Sequence, residues 1–174
     1  MTIWADADSL PRQVKELIGR RAGGMIDGLR AVFVANRPIP LPPGKNLQAV
    51  TVGPAGASAR PQDAAVASQS TGDVTADDYI MGHAAAHDIL VTRDIPLAAR
   101  AMAAGVIAIN DRGDLWTADS IRERLSLRNH MEALRDAGEA PPSSRARSFG
   151  PKETNAFANA LDKAIRAARC AQRA

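Results

Sequence analysis

The chain has 174 residues, 45% of them hydrophobic and only 3% aromatic, which allows one sizeable core built from aliphatic side chains. A single cysteine, Cys170, excludes an intrachain disulfide and fits a reducing compartment. The formal net charge is +3, yet residues 1–119 hold 11 Lys and Arg against 13 Asp and Glu, and residues 120–174 hold 11 against 6. The N-terminus has no basic segment leading into an apolar one, and no apolar run approaches the ~20 residues that cross a bilayer. A cytoplasmic protein with no membrane partner is therefore expected.

Thr2–Asp6 is an apolar run of strand length that ends in Asp6 and, two residues on, Asp8. Pro11 opens a helix to about Ala22, with Val14, Leu17 and Ile18 at helical spacing and Gly23-Gly24 ending it. Arg30–Ala35 is a near-continuous apolar run, as in a strand buried on both faces of a parallel sheet. Prolines make residues 36–44 an extended loop. Leu47–Val52 is a third strand. Residues 53–72 are rich in Gly, Pro, Ala, Ser and Gln, a length and composition that mark a functional loop or disorder.

Thr75 and Asp78 resemble a capping box opening a helix whose buried face is Ile80, Met81, Ala84 and Ala85. Asp88–Thr92 is a strand, and Arg93-Asp94-Ile95-Pro96 leads into a helix that ends at Gly105. Val106–Ile109 is a strand followed by a turn at 110–114. Thr117 or Asp119 begins a helix to about Ala137. Residues 138–150 form a Pro/Ser/Arg-rich linker, and 151–174 a last helix with Phe157, Leu161 and Ile165 on one face. The expected architecture is α/β, a mostly parallel sheet flanked by helices. Residues 1–137 form its body, and the C-terminal helix packs on the same domain.

In a parallel sheet every strand's carboxyl end lies on one edge, where ligands of open α/β folds bind. Asp6, Asp8 and Asp94 are expected there, and Asp77 and Asp78 join them from the first turn of the helix after the third strand. Asp6 and Asp8, two apart, point the same way if both lie in a strand. Each acid alone has a plainer role: an N-terminal cap, or a charge favoured by the helix dipole. Together they suit an oxygen-only site for Mg²⁺ or Mn²⁺, which would polarise a phosphoryl oxygen and activate water.

The segments Ile3-Trp4-Ala5-Asp6-Ala7-Asp8, Val34-Ala35-Asn36, Ala76-Asp77-Asp78, Val91–Ala98 and Asn110-Asp111-Arg112-Gly113 resemble the bacterial YaiI/YqxD family, an uncharacterised group regarded as PIN-like. The resemblance runs nearly end to end. It implies a PIN-like three-layer sandwich and a metal-dependent nuclease acting on nucleic acid, above all RNA. Asp6, Asp8, Asp77 and Asp94 would be the catalytic acids, with Asp78 as a neighbouring metal ligand. Asn36 and Arg112 would line the same edge against substrate. From the residues themselves, Arg37, Arg93 and Arg112 each flank a strand end, placed either to hold phosphates by forked hydrogen bonds or to be solvated or ion-paired. A homodimer is left open.

The sequence departs from the family pattern in places. Ser9-Leu10 stands where the family usually has Ala-Cys, and Val74 where it often has an aspartate. His130 stands at an aromatic position, and the insertion before Asp77 is long. His83 and His87, four apart on an expected helix, have the spacing of a two-histidine metal pair, but three alanines separate them and the resemblance gives them no role. Arg145 and Arg147, with Arg166, Arg169 and Arg173, are positioned to follow a nucleic-acid backbone or simply to solvate a face. Two other functions compete. One is a PIN-like shell that binds RNA or protein without catalysis, for which Val74 speaks. The other is a haloacid-dehalogenase-type phosphatase, against which speak the immediate helix at Pro11 and the absence of lysine between Lys45 and Lys152.

Overall fold

A computed structural model describes residues 1–24, 28–41, 44–52, 75–137 and 149–173. Its elements in order are β1 (Thr2–Asp6), α1 (Arg12–Ala22), β2 (Arg30–Ala35), β3 (Leu47–Thr51), α2 (Ala76–His83), β4 (Ile89–Val91), α3 (Ile95–Ala103), β5 (Ile107–Ile109), α4 (Ala118–Asp136) and α5 (Pro151–Arg173). The five strands form one sheet in the order β3-β2-β1-β4-β5, and every pair is parallel. β1 is thus the middle strand, paired to β2 from Thr2↔Arg30 to Asp6↔Val34 and to β4 from Ile3↔Ile89 to Ala5↔Val91.

The apolar runs of β1, β2 and β4 serve two cores at once, because successive side chains leave a strand on opposite faces. Ile3, Ala5, Ala31, Phe33, Ala35, Ile89 and Val91 pack on one face with Val14, Leu17 and Ile18 of α1 and Phe157, Leu161 and Ile165 of α5. Trp4, Val32, Val34 and Leu90 pack on the other with Ile80 of α2, Leu97 and Ala101 of α3 and Ile121 of α4. The result is a three-layer α/β sandwich, with α5 in the same layer as α1. Arg21 of α1 and Asp162 of α5 pair at 2.8 Å across that layer.

The strand and helix boundaries agree with the sequence within a residue or two, with one correction. α2 ends at His83, not beyond Ala85. Ala85 is exposed, and His87 sits in the following turn at φ +68. His83 and His87 therefore do not share a helix face. His83 stacks on Tyr79, ring centroids 4.1 Å apart, and its Nδ1 lies 2.8 Å from the Tyr79 carbonyl oxygen. The whole Gly/Pro/Ala/Ser stretch at 53–72, Val74, and most of the linker with Arg145 and Arg147 lie outside the described residues. No described helix is long and apolar enough to cross a membrane.

Candidate functional site

The carboxyl ends of β2, β1, β4 and β5 form one edge, and the chain leaves each of them with polar residues. β1 stops at Asp6, which shares strand parity with Trp4 and faces the α2/α3 layer. Asp6 is buried, 6% exposed, and its Oδ2 accepts from the Thr92 hydroxyl at 2.8 Å. Thr92 follows β4 and is fully buried. The same Thr92 oxygen accepts the Asp94 backbone N–H at 2.9 Å. Asp94 is the N-cap of α3: its Oδ1 accepts from the Leu97 N–H at 2.8 Å, and Pro96 sits in the first turn. A cap needs one oxygen only, so Asp94 serves both the plain role and the edge.

Asp77 enters from the first turn of α2. Its pKa is pushed up, first by burial and then by the negative charges of Asp94 and Asp6; Arg100 opposes and Asp78 adds to the rise. Asp6 and Asp94 therefore lie within electrostatic reach of Asp77. Two of the sequence-selected acids stand apart from this trio. Asp78 is exposed, pairs with Arg100 at 2.9 Å and accepts from the Thr75 hydroxyl at 2.8 Å. The Arg100 and Thr75 hydrogen bonds hold its carboxyl below the usual range. Asp78 completes a helix cap, with Thr75 Oγ1 accepting its N–H at 3.1 Å.

Asp8 lies two residues past the end of β1, so the same-side rule for strand residues does not carry it to Asp6. It turns to the end of β2. Its Oδ2 accepts the Asn36 N–H at 2.6 Å and the Asn36 side-chain amide at 3.0 Å, and its Oδ1 lies 3.6 Å from Arg37. Neither Asp8 nor Ser9 caps α1, whose N-cap is Pro11 without a side-chain bond. Ser9 instead donates to the Asp6 carbonyl at 3.1 Å and accepts the Arg93 N–H at 3.4 Å, tying the ends of β1 and β4 together.

The basic residues take up the flanks. Arg93 lies 3.6 Å from Asp111, a buried acid just past β5. Arg112 belongs to the 110–113 turn, where its N–H donates to Asn110 Oδ1 at 2.9 Å, and its charge acts on Glu153 at the start of α5. Lys15 of α1, which sequence reasoning did not select, donates to the Ala7 carbonyl at 3.1 Å, just past the end of β1.

Asp6 Oδ1, Asp94 Oδ2 and the Asp77 carboxylate have no hydrogen-bond partner among the described residues. Also among the described residues, no group of three or more His, Cys, Asp or Glu is placed to hold a metal ion directly. Asp6, Asp77 and Asp94 are the acids that this edge brings within electrostatic reach of one another. An open apolar groove of about 570 Å³ along β5, walled by Met102, Ile107, Leu115, Trp116, Lys163 and Ala164, has no acid in its lining and meets the turn after β5 at Gly113.

Comparison with known proteins gives a family without a described activity. Residues 4–167 match the family model described as "Uncharacterized BCR, YaiI/YqxD family". A UPF0178 protein of Psychromonas ingrahamii is 39% identical over 169 residues, 97% of this chain and 98% of the relative. One of Syntrophobacter fumaroxidans is 40% identical over 165 residues, 95% of this chain and 94% of the relative. One of Treponema pallidum is 41% identical over 163 residues, 94% of this chain and 80% of the relative. No solved structure matches the chain. With a family model spanning nearly its whole length and relatives aligned almost end to end, the chain belongs to the YaiI/YqxD family.

Proposed function

We propose that the protein is a divalent-metal-dependent phosphodiesterase of the PIN-like type that cleaves nucleic acid, RNA first among substrates. The observation that carries this reading is the gathering of acids at the carboxyl edge of a parallel sheet, where Thr92 joins Asp6 to Asp94 and Asp77 enters from the first turn of α2. A bound Mg²⁺ or Mn²⁺ would supply charge balance, polarise a phosphoryl oxygen and lower the pKa of water.

The chain's own residues supply position. The Thr92 hydroxyl fixes the Asp6 carboxylate, and the N-terminus of α3 fixes Asp94. One trio carboxylate orients the attacking water. Asn36 holds Asp8 at the β2 side of the edge, Arg37 stands beside Asp8, and Arg93 stands on the β5 side. A nucleic-acid strand lying across the strand ends would meet an arginine on either side of the acids, suited to paired hydrogen bonds with phosphate oxygens.

The test is Mn²⁺ and Mg²⁺ titration by calorimetry on wild type and on Asp6→Asn/Asp94→Asn. Asn is itself a good N-cap, so α3 keeps its start. Micromolar binding lost in the double variant, with Mn²⁺-dependent cleavage of a fluorescent RNA and no turnover of p-nitrophenyl phosphate, is the expected outcome. RNA binding that persists in EDTA without cleavage in Mn²⁺ would replace this reading with the non-catalytic shell. Turnover of the monoester would replace it with a phosphatase.

A further inference from the structure

The two helical layers differ sharply in charge. α1 and α5, at opposite ends of the sequence, together carry nine Lys and Arg against three Asp and Glu. α2, α3 and α4, on the other face of the sheet, carry five against six. The molecule's net charge of +3 is thus the sum of a basic layer at +6 and a remainder at −3. Two of the three acids in the basic layer are used within it, Glu16 by Arg12 at 2.7 Å and Asp162 by Arg21 at 2.8 Å. No ion pair engages Arg20, Lys163 or Arg166 among the described residues, and all three are exposed.

Solubility is served as well by interspersed charges; segregating one sign onto one face creates a field that steers polyanions. The layer is also placed to receive one. α1 begins just past the carboxyl end of β1, and Lys15 reaches the Ala7 carbonyl there. α5 begins beside the turn after β5, where the backbone of Ala156 lies against Gly113. Both helices therefore start at the acidic edge and lead away from it, α5 for about 34 Å at 1.5 Å per residue.

We propose that the α1/α5 face is a binding track for single-stranded nucleic-acid backbone, with Arg20, Lys163 and Arg166 as phosphate contacts remote from the acidic edge. The proposal rests on the phosphodiesterase reading only in taking that edge as the place where the strand enters.

The probe is a 5′-fluorescein 20-nucleotide polyuridylate, titrated by anisotropy in EDTA from 50 to 300 mM salt. Arg20→Gln/Lys163→Gln/Arg166→Gln is expected to bind at least ten-fold more weakly at 100 mM salt. Its slope of log affinity against log salt should be less steep by about 2, since each single-strand phosphate contact contributes about 0.7. Arg122→Gln/Arg128→Gln/Arg135→Gln on α4, at three exposed positions of the other layer, should match wild type. Equal slopes in wild type and the α1/α5 variant, equal losses in both variants, or no wild-type binding at 50 mM salt would overturn the track. Cleavage of the dinucleotide UpU in Mn²⁺, too short to reach from that edge to Arg20, Lys163 or Arg166, should be unchanged by the α1/α5 variant. A wild type that cleaves nothing but keeps the slope difference supports the track and removes the phosphodiesterase reading alone.

Discussion

Thr92 joins Asp6 to Asp94: its hydroxyl donates to Asp6 Oδ2 at 2.8 Å while accepting the Asp94 N–H at 2.9 Å. One buried side chain thereby sets both the middle strand's terminal acid and the cap of α3. Thr92→Val keeps the shape and removes both bonds, leaving a donor and an acceptor unmet. The expected cost is about 1–3 kcal/mol, a melting point lower by roughly 3–10 °C in a chain of this size. Mn²⁺ affinity should fall about 10–100-fold, the usual penalty for losing a group that orients a ligand. Thermal denaturation and calorimetry read the two effects separately; a melting point unchanged by Thr92→Val would contradict the first.

Asp77 makes the folded state pH-sensitive. Its carboxyl is held above the ordinary value by burial and by Asp94 and Asp6. The folded protein thus binds that proton more tightly than the unfolded chain. The resulting stability is complete below the unfolded pKa and is lost as pH rises through the raised one. Asp77→Asn should therefore stabilise the metal-free protein at pH 7, by under about 1 kcal/mol because the group is half-exposed and screened. The gain should shrink at pH 4. Melting curves in EDTA at both pH values check the sign, and the same variant should lose metal binding.

Asp88 makes the opposite prediction, a large structural cost with no loss at the acidic edge. It precedes β4 and is 6% exposed. Its carboxylate accepts the Thr2 N–H at 2.7 Å, the Trp4 indole N–H at 3.1 Å and the Ala85 N–H at 3.2 Å. Asp88→Ala strands three donors and should cost about 3–5 kcal/mol. Any folded fraction should bind Mn²⁺ like wild type, since the residue sits at the amino end of the sheet.

Two glycines with positive φ separate strain from space. Gly28 has φ +73 and nothing within 4 Å of an added Cβ. Gly113 has φ +89, and an added Cβ would lie 2.6 Å from the Ala156 carbonyl oxygen. Gly28→Ala should cost about 1 kcal/mol, whereas Gly113→Ala should cost about 2–4 kcal/mol and speed hydrogen exchange in α5. Equal costs would mean that α5 does not seat on the 110–113 turn.

The sequence made the sheet legible because buried parallel strands are written as uninterrupted apolar runs, as in Arg30–Ala35, and because Gly23, Pro11 and Thr117 punctuate the helices. The edge was legible for the same reason: strand ends define it. What was not legible is how each acid is spent. Thr75 and Asp78 read as a cap and are one, and Arg100, 22 residues away, completes the withdrawal of Asp78. Asp8 follows Asp6 at strand spacing, but the strand stops first. Asp88 looks like any strand-opening polar residue until the indole of Trp4, 84 residues away, is found on it. The basic layer was invisible because α1 and α5 are neighbours only in space.

The middle strand of the sheet is also the first one in the chain. Its β2 partner is synthesised within the next 35 residues, but its β4 partner comes only at residues 89–91. A chain ending anywhere between them presents β1 as a raw, apolar strand edge, ready to pair with another such chain. Shortened versions of this protein should therefore clump rather than merely lose activity, and cutting it into fragments is a poor way to study its parts.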